Sequence, residues 1–222
     1  MLMNWIQSNR VFLVLLLCFG LFRTAVADWN PIPSGSMRPT LLEGDVVFVN
    51  RLAYDVKLPL TDVVLLPLGE PQRGDVVTFT SPKDGTRLIK RIAAVPGDRV
   101  EMRNEVLYIN GQAAEYDAPE VVQEAVGVGA TVQATRWTER LGGHERRVQW
   151  LHGVPARSTF DAIEVPAGQY LMLGDNRDDS VDSRYIGLVP RHLLIGQARR
   201  VLVSADILGH WAPRLQRIGL PL

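Results

Sequence analysis

A mainly β fold is predicted by two features of this 222-residue chain. Past the N-terminal stretch, short runs of β-branched and aromatic residues alternate with glycine, proline and asparagine turn signals. No segment with a convincing helical period appears before the C-terminal part. Many short strands with frequent turns point to a barrel-like or sandwich architecture.

The elements follow in order. Residues 45–50, DVVFVN, and 74–80, GDVVTFT, read as strands. Residues 87–95 form another, closed by a turn at Pro96-Gly97-Asp98, where glycine suits a positive φ. Residues 100–102 and 106–109 read as a hairpin around Asn104-Glu105, and Asn110-Gly111 turns the chain again. Residues 170–173, YLML, make a further apolar strand. Residues 113–160 differ in texture, with Arg136, Arg140, Arg146 and Arg147 among Trp137, His144 and Trp150. They read as an insertion forming a small β satellite, the arginines lying on a solvated face.

Composition excludes several classes. Lysine plus arginine and aspartate plus glutamate each number 24, so the basic excess of a nucleic-acid binder is absent. Cys18 is the single cysteine, so no internal disulfide and no thiolate cluster can form. Asp175, Asp178, Asp179 and Asp182 do not have EF-hand spacing. No metal site is expected.

Residues 11–22, VFLVLLLCFGLF, lie between Arg10 and Arg23. This run is shorter than the roughly 20 residues that span a bilayer. Two readings compete. One is a secretory signal peptide, because Ala25-Val26-Ala27 fits an A-x-A cleavage pattern. The other is a retained anchor, with Trp5 and Ile6 at one interface and Arg23 snorkelling at the other. Either way, the chain beyond about residue 28 lies outside the cytoplasm.

Three segments carry chemistry. In 32–40, IPSGSMRPT, two prolines stiffen the chain. Ser34 and Ser36 flank Gly35 and would share a side if the segment were extended. In 87–95, alternation puts Lys90 in a row with Leu88, Ile92 and Ala94, opposite Arg87, Ile89 and Arg91. Either the Lys90 stem packs while its head reaches solvent, or the amine is buried and loses its proton. Moving its pKa to near 7 needs roughly 4 to 5 kcal/mol of destabilisation of the charged form. Such a lysine can serve as a general base. The third segment, 174–184, GDNRDDSVDSR, is a dense polar run.

The successive boxes PSGSMRPTLLEGD, RGDVVTF, RLIKR with VPGD, and GDNRDDSVDSR resemble those of bacterial type I signal peptidases in order and spacing. The resemblance covers about residues 23–111 and 158–217. It implies a β-rich catalytic domain with a smaller β subdomain and an N-terminal transmembrane helix. The boundaries it suggests are 1–27 for cytoplasmic tip and anchor, 28–112 and 161–222 for the catalytic domain, and 113–160 for the inserted subdomain. The anchor is then retained.

The resemblance also implies roles. Ser36 is the nucleophile and Lys90 the base. Ser34 Oγ and the Ser36 N–H donate to the oxyanion. Ser180 orients the lysine, while Asp175, Asp182, Arg184 and Arg91 brace the site, with Asp182 expected to pair with Arg184 and Arg91 with Asp175. Ile32, Pro33, Met37, Leu41, Leu88 and Ile89 line shallow substrate pockets. Leu88 stands where an aromatic is often found, so pocket shape differs. No cofactor is needed. A histidine triad is disfavoured, since G-x-S-x-G is absent and His144, His152, His192 and His210 lie outside the boxes.

The expected activity is removal of signal peptides from exported precursors after A-x-A, by a single-pass enzyme of the bacterial inner membrane facing the periplasm. Its partners are signal peptides and lipid, not nucleic acid. Two alternatives stand beside it: a dedicated processing protease of a conjugation or secretion system, and an inactive membrane-anchored binding module. The A-x-A pattern also offers such an enzyme a site in its own chain, after Ala27.

Overall fold

The computed structural model describes residues 5, 7, 9–59, 61, 63–127 and 129–222. Ile6, expected at a membrane interface, and residues 1–4 of the N-terminal tip lie outside the described residues.

The chain opens with helix α1 (Arg10–Ala25), none of whose residues is buried. No described helix is long and apolar enough to cross a membrane. Sixteen residues at 1.5 Å each cover about 24 Å, less than the roughly 30 Å of hydrocarbon. Past α1 the chain turns directly into strand. Arg23 stacks 4.3 Å over the Trp29 ring and pairs with Asp28 at 3.0 Å.

The strands in chain order are β1 (Ala27–Pro31), β2 (Asp45–Asn50), β3 (Asp55–Lys57), β4 (Val64–Pro67), β5 (Val76–Thr80), β6 (Arg87–Ala94), β7 (Arg99–Arg103) and β8 (Val106–Ile109). They continue with β9 (Gln112–Ala113), β10 (Glu115–Gly127), β11 (Ala130–Leu141), β12 (His144–Leu151), β13 (Phe160–Glu164), β14 (Gln169–Leu173), β15 (Val189–Pro190) and β16 (Leu194–Ser204). A four-residue helix α2 (Ser183–Ile186) follows β14. The mainly β expectation holds.

Seven strands form one sheet in the order β1-β2-β16-β5-β6-β14-β15, with antiparallel neighbours. A four-stranded sheet, β13-β7-β8-β9, packs beside it. The β7–β8 turn has positive φ at both Asn104 and Glu105, and the β8–β9 turn at both Asn110 and Gly111, the two-residue hairpin geometry the sequence signals. Val100, Met102, Leu107 and Ile109 from this sheet close on Ala93, Ala94, Leu171 and Leu173 of the larger one. Phe79, Ile92, Tyr170 and Met172 build a second cluster, and Met37, Leu41, Val47, Val76 and Val201 a third.

The row predicted for β6 breaks at its end. A register shift in the β6–β14 pairing matches Leu171 with Ala94 and Met172 with Ile92, which takes Ala94 out of line. Leu88 and Ile92 remain in one cluster, but Ala94 enters another. From Lys90 onward every residue of β6 is buried, so both faces are covered.

The insertion is joined by backbone bonds to the run that leaves the larger sheet after β14. Strands β10, β11 and β12 form a three-stranded sheet, and Gln149 of β12 bridges in parallel to Asn176 in the polar run after β14. Gln149 N–H donates to Asp175 O at 2.9 Å, and Arg177 N–H donates to Gln149 O at 2.9 Å. Its four arginines do not share a solvated face. Arg146, half-buried, pairs with the buried Glu139, and Arg136 pairs with Glu124 at 2.7 Å, while Arg140 and Arg147 are exposed. The reason is that Glu139 and Glu124 are buried and draw cations inward.

The Ala27–Asp28 bond lies within β1, where Ala27 pairs with Asn50, and Asp28 is buried among Arg23, Arg51 and Arg87. Of the A-x-A pattern, Ala25 ends α1, Val26 caps it and Ala27 opens β1, so a peptidase needs helix end and strand unpaired there before it can cut.

Gly196 crosses β2 so closely that a Cβ would sit 2.5 Å from Asn50 O and 2.9 Å from Val49 Cγ1. Gly196→Ala is expected to destabilise by about 2 kcal/mol, lowering Tm by roughly 4–8 °C in a thermal melt. An unchanged Tm would mean that β2 and β16 are free to separate.

Candidate active site

Ser36 sits on a 3₁₀ turn, Gly35–Met37, that follows extended Ser34. The segment is therefore not a strand, and the two serines do not share a side: Ser36 is buried and Ser34 exposed. The turn is held by the polar run opposite. Asn176 N–H donates to Ser36 O and Asn176 Nδ2 to Gly35 O, each at 3.1 Å. Gly174 makes the approach possible, since a Cβ there would meet Ser36 O at 2.5 Å and Ser180 Oγ at 2.2 Å.

Lys90 reaches this turn from β6. Its Nζ lies 2.5 Å from Ser36 Oγ, and the residue is 3% exposed. Burial lowers the amine to about 8, although Asp182, Asp175 and Asp179 each oppose the shift. None of these carboxylates forms an ion pair with the amine, which is why desolvation wins. The arrangement offers a hydroxyl beside an amine that is substantially neutral at mildly alkaline pH. That can deprotonate the hydroxyl for attack on a carbonyl.

Two of these three carboxylates, Asp175 and Asp182, are satisfied by other groups. Arg91 donates from Nε and Nη2 to the two Asp175 oxygens at 2.9 and 2.7 Å, and from Nη1 to Gly74 O. Thr40 Oγ1 donates to the same carboxylate at 2.5 Å. Asp182 accepts from Arg184 Nε and Nη2 at 2.8 Å and from Gly174 N–H at 3.0 Å. Both expected pairs are present, and the first ties β6 to the polar run.

Ser34 caps the turn without spending its hydroxyl on a cap bond. Ser180 is buried against Gly174, but its Oγ has no hydrogen-bond partner, so the structure does not join it to Lys90. Ile32, Pro33, Leu88 and Ile89 line a cleft of about 360 Å³ with Trp29 and Arg23. Met37 and Leu41 do not. Both are fully buried beneath the turn, because their side chains fill the core under it.

Several participants escaped the sequence reading. Arg38 is buried between Glu43, at 2.7 Å, and Glu124 of β10. Arg177 donates from Nη2 to Glu139 of β11 at 2.5 Å, and Tyr116 donates to the same carboxylate at 2.9 Å. Burial alone would raise Glu139, but Arg177 and Arg146 outweigh it and hold the acid at about 2. One signal was available. Alternation puts Glu139 in line with Trp137 and Leu141, a charge on an apolar face just as at Lys90. Glu43 and Glu124 carried no such mark.

This geometry lies in a chain with clear relatives. Residues 2–203 match the family model described as signal peptidase, peptidase S26. Signal peptidase I of Pseudomonas aeruginosa is 35% identical over 228 residues, covering 97% of this chain and 78% of that protein. Signal peptidase I of Pseudomonas fluorescens is 34% identical, with the same shares covered. A crystal structure of a signal peptidase I from Enterococcus faecalis V583 is 30% identical, covers 59% of this chain and 97% of that one, and superposes with a TM-score of 0.34. The chain belongs to the signal peptidase family of S26 peptidases and is an enzyme of that kind, a serine endopeptidase.

Lys90→Met keeps the apolar stem and removes the amine. The folded-state value of about 8 lies below the ordinary 10.5, so the folded chain holds this proton less tightly than the unfolded one. Below pH 8 the cost of burying charge is fully present. Between pH 8 and 10.5 the folded state sheds the proton first, and stability rises with pH. Lys90→Met is therefore expected to be more stable at pH 7, by up to about 3 kcal/mol, in denaturant titrations. The gain should shrink above pH 10. A loss of stability at pH 7 would remove the desolvation account.

Proposed function

We propose that this chain removes N-terminal signal peptides from exported precursor proteins, cutting after small residues in A-x-A with Ser36 as nucleophile and Lys90 as general base. The observation that carries the reading is the 2.5 Å contact between Ser36 Oγ and a buried, depressed amine. Neutral Lys90 takes the Ser36 proton as Oγ attacks the carbonyl after the small residue. The acyl-enzyme forms, and the ammonium returns its proton to the leaving amine. Lys90 then activates the water that frees the acid. Ser34 Oγ, unspent in capping, and the Ser36 N–H stabilise the oxyanion. The Arg91–Asp175 and Arg184–Asp182 pairs brace these groups. Ser180, buried nearby, orients the lysine when it carries its proton. The apolar cleft at Ile32, Pro33, Leu88 and Ile89 suits the small and apolar residues of a signal peptide.

Residues 1–27 anchor the enzyme in the bacterial inner membrane, with the catalytic domain, 28–112 and 161–222, on the periplasmic side and 113–160 as its inserted subdomain. Support for lipid contact comes from the exposed apolar surface of α1. More comes from the β3–β4 hairpin, which exposes Leu58, Val63, Leu65, Leu66 and Leu68. Arg51, just before that hairpin, donates its N–H to Val26 O just after α1, so both apolar elements leave the domain at one end.

Purified protein in detergent should cut an A-x-A precursor peptide, and Ser36→Ala and Lys90→Ala should abolish cleavage while staying folded. Lys90→Arg should fail as well, because guanidinium does not deprotonate. The native rate should rise with pH and inflect near 8, since the neutral amine is the active form. Activity of Lys90→Arg at neutral pH would overturn the base assignment. Ser34→Ala is expected to lower kcat by about 10² to 10³ with little change in KM. A near-normal kcat would locate the oxyanion donor elsewhere.

A further inference from the structure

A second cleft, of about 260 Å³, opens on the other side of Pro33, which lines both. Its walls are Ser34 and Gly35 of the nucleophile turn, Asn176 and Asp179 of the polar run, and Glu124 of the inserted strand β10. A polypeptide attacked at Ser36 has two halves to accommodate. The apolar cleft matches a signal peptide, so the second cleft is left for the mature half. This assignment rests on the processing reading above.

The second cleft mixes apolar residues, Ala125, Val126 and Leu208, with charged ones, and its acids outnumber its cations. Among the described residues Arg38 is the one cation in its lining, and it is already bracketed by Glu43 and Glu124. Glu124 takes a second arginine, Arg136, from outside the lining. Asp179 has neither ion pair nor hydrogen bond among the described residues. Beside it, Asn176 is buried and spends its Nδ2 on Gly35 O, which leaves Oδ1 without a partner. The wall thus holds an exposed carboxylate that no cation among the described residues pairs with directly. A group that complements it brings N–H donors and positive charge.

We propose that Asp179 is a specificity-determining residue for the mature side of the cut, where it receives an ammonium or guanidinium group. Two sources share this chemistry. One is a lysine or arginine side chain within the first residues after the cut. The other is the new α-amino group that cleavage creates. In the first case the charge selects substrates. In the second it retains the product until the amine moves away. Asp179 contributes here by charge alone and takes no proton from Ser36.

The test uses the full chain in detergent. Precursor peptides carry Lys, Gln or Glu at the second position after the cut, with an unchanged A-x-A signal side. The native enzyme should prefer Lys to Glu by about fivefold in kcat/KM, the size of one partly exposed charge pair. In Asp179→Asn that preference should fall to near unity. Using the ratio cancels any common effect of the substitution on Lys90 or on folding. Inhibition by the mature-side peptide, with a free or an acetylated N-terminus, separates the two sources. Loss of inhibition on acetylation assigns the α-amino group; a preference for Lys that survives acetylation assigns the side chain. Equal handling of Lys and Glu peptides by the native enzyme, together with inhibition unaffected by acetylation, would overturn the proposal. So would an undiminished preference in Asp179→Asn. Should the native chain cut no A-x-A peptide, the processing reading fails on its own. Binding of the same Lys and Glu peptides to Ser36→Ala, compared with the Ser36→Ala/Asp179→Asn double variant, still decides the charge preference.

Discussion

The desolvation of one amine organises much of this molecule. Lys90 is surrounded so completely that its charged form is disfavoured, even with three carboxylates close enough to pull the other way. A direct ion pair would have cancelled that effect and kept the lysine protonated. The surrounding charges are arranged so that no such pair forms. Asp175 is committed to Arg91 and Thr40, and Asp182 to Arg184 and the Gly174 N–H. Each carboxylate near the amine except Asp179 is thereby tied to another donor. The braces do more than hold shape: they set the electrostatics of the amine.

The same logic extends into the inserted sheet. Its outer residues pair at the surface, where solvent screens them, but Glu124 and Glu139 are buried and reach Arg38 and Arg177. Arg38 lies two residues after Ser36, and Arg177 lies within the polar run that holds the nucleophile turn. A buried ion pair is costly to break, because removing one partner leaves an uncompensated charge. The insertion is therefore coupled to the turn from one side and to the run from the other. The Gln149–Asn176 bridge adds backbone bonds to the same junction.

Much of the fold was legible because strands and turns are local. The expected 45–50 strand is β2, the 87–95 strand is β6 shortened by one residue, and both asparagine turns have the left-handed backbone their residues favour. Segments that depend on distant partners were read less well. The sequence leaves the backbone of 32–40 open, and Asn176 and the core beneath Met37 fold Gly35–Met37 into a 3₁₀ turn. Ala94 was placed in the Lys90 row, and a shift in pairing with β14 removed it. The family resemblance makes Met37 and Leu41 pocket residues, but both are fully buried in the core beneath the turn.

The sequence by itself determined the position of several strands and of the two asparagine turns, which residues carry hydroxyls, amines and carboxylates, and that Lys90 stands in a row with Leu88 and Ile92. Those properties follow from side-chain chemistry and the two-residue period of a strand. Only the tertiary structure decided that Lys90 meets Ser36 rather than solvent, that Arg38 and Arg177 are met by acids from an inserted sheet, and that Asp179 has no ion pair among the described residues. Desolvation and charge pairing act through space. They depend on which segments, far apart in the chain, come together around a site, and no local pattern encodes that distance.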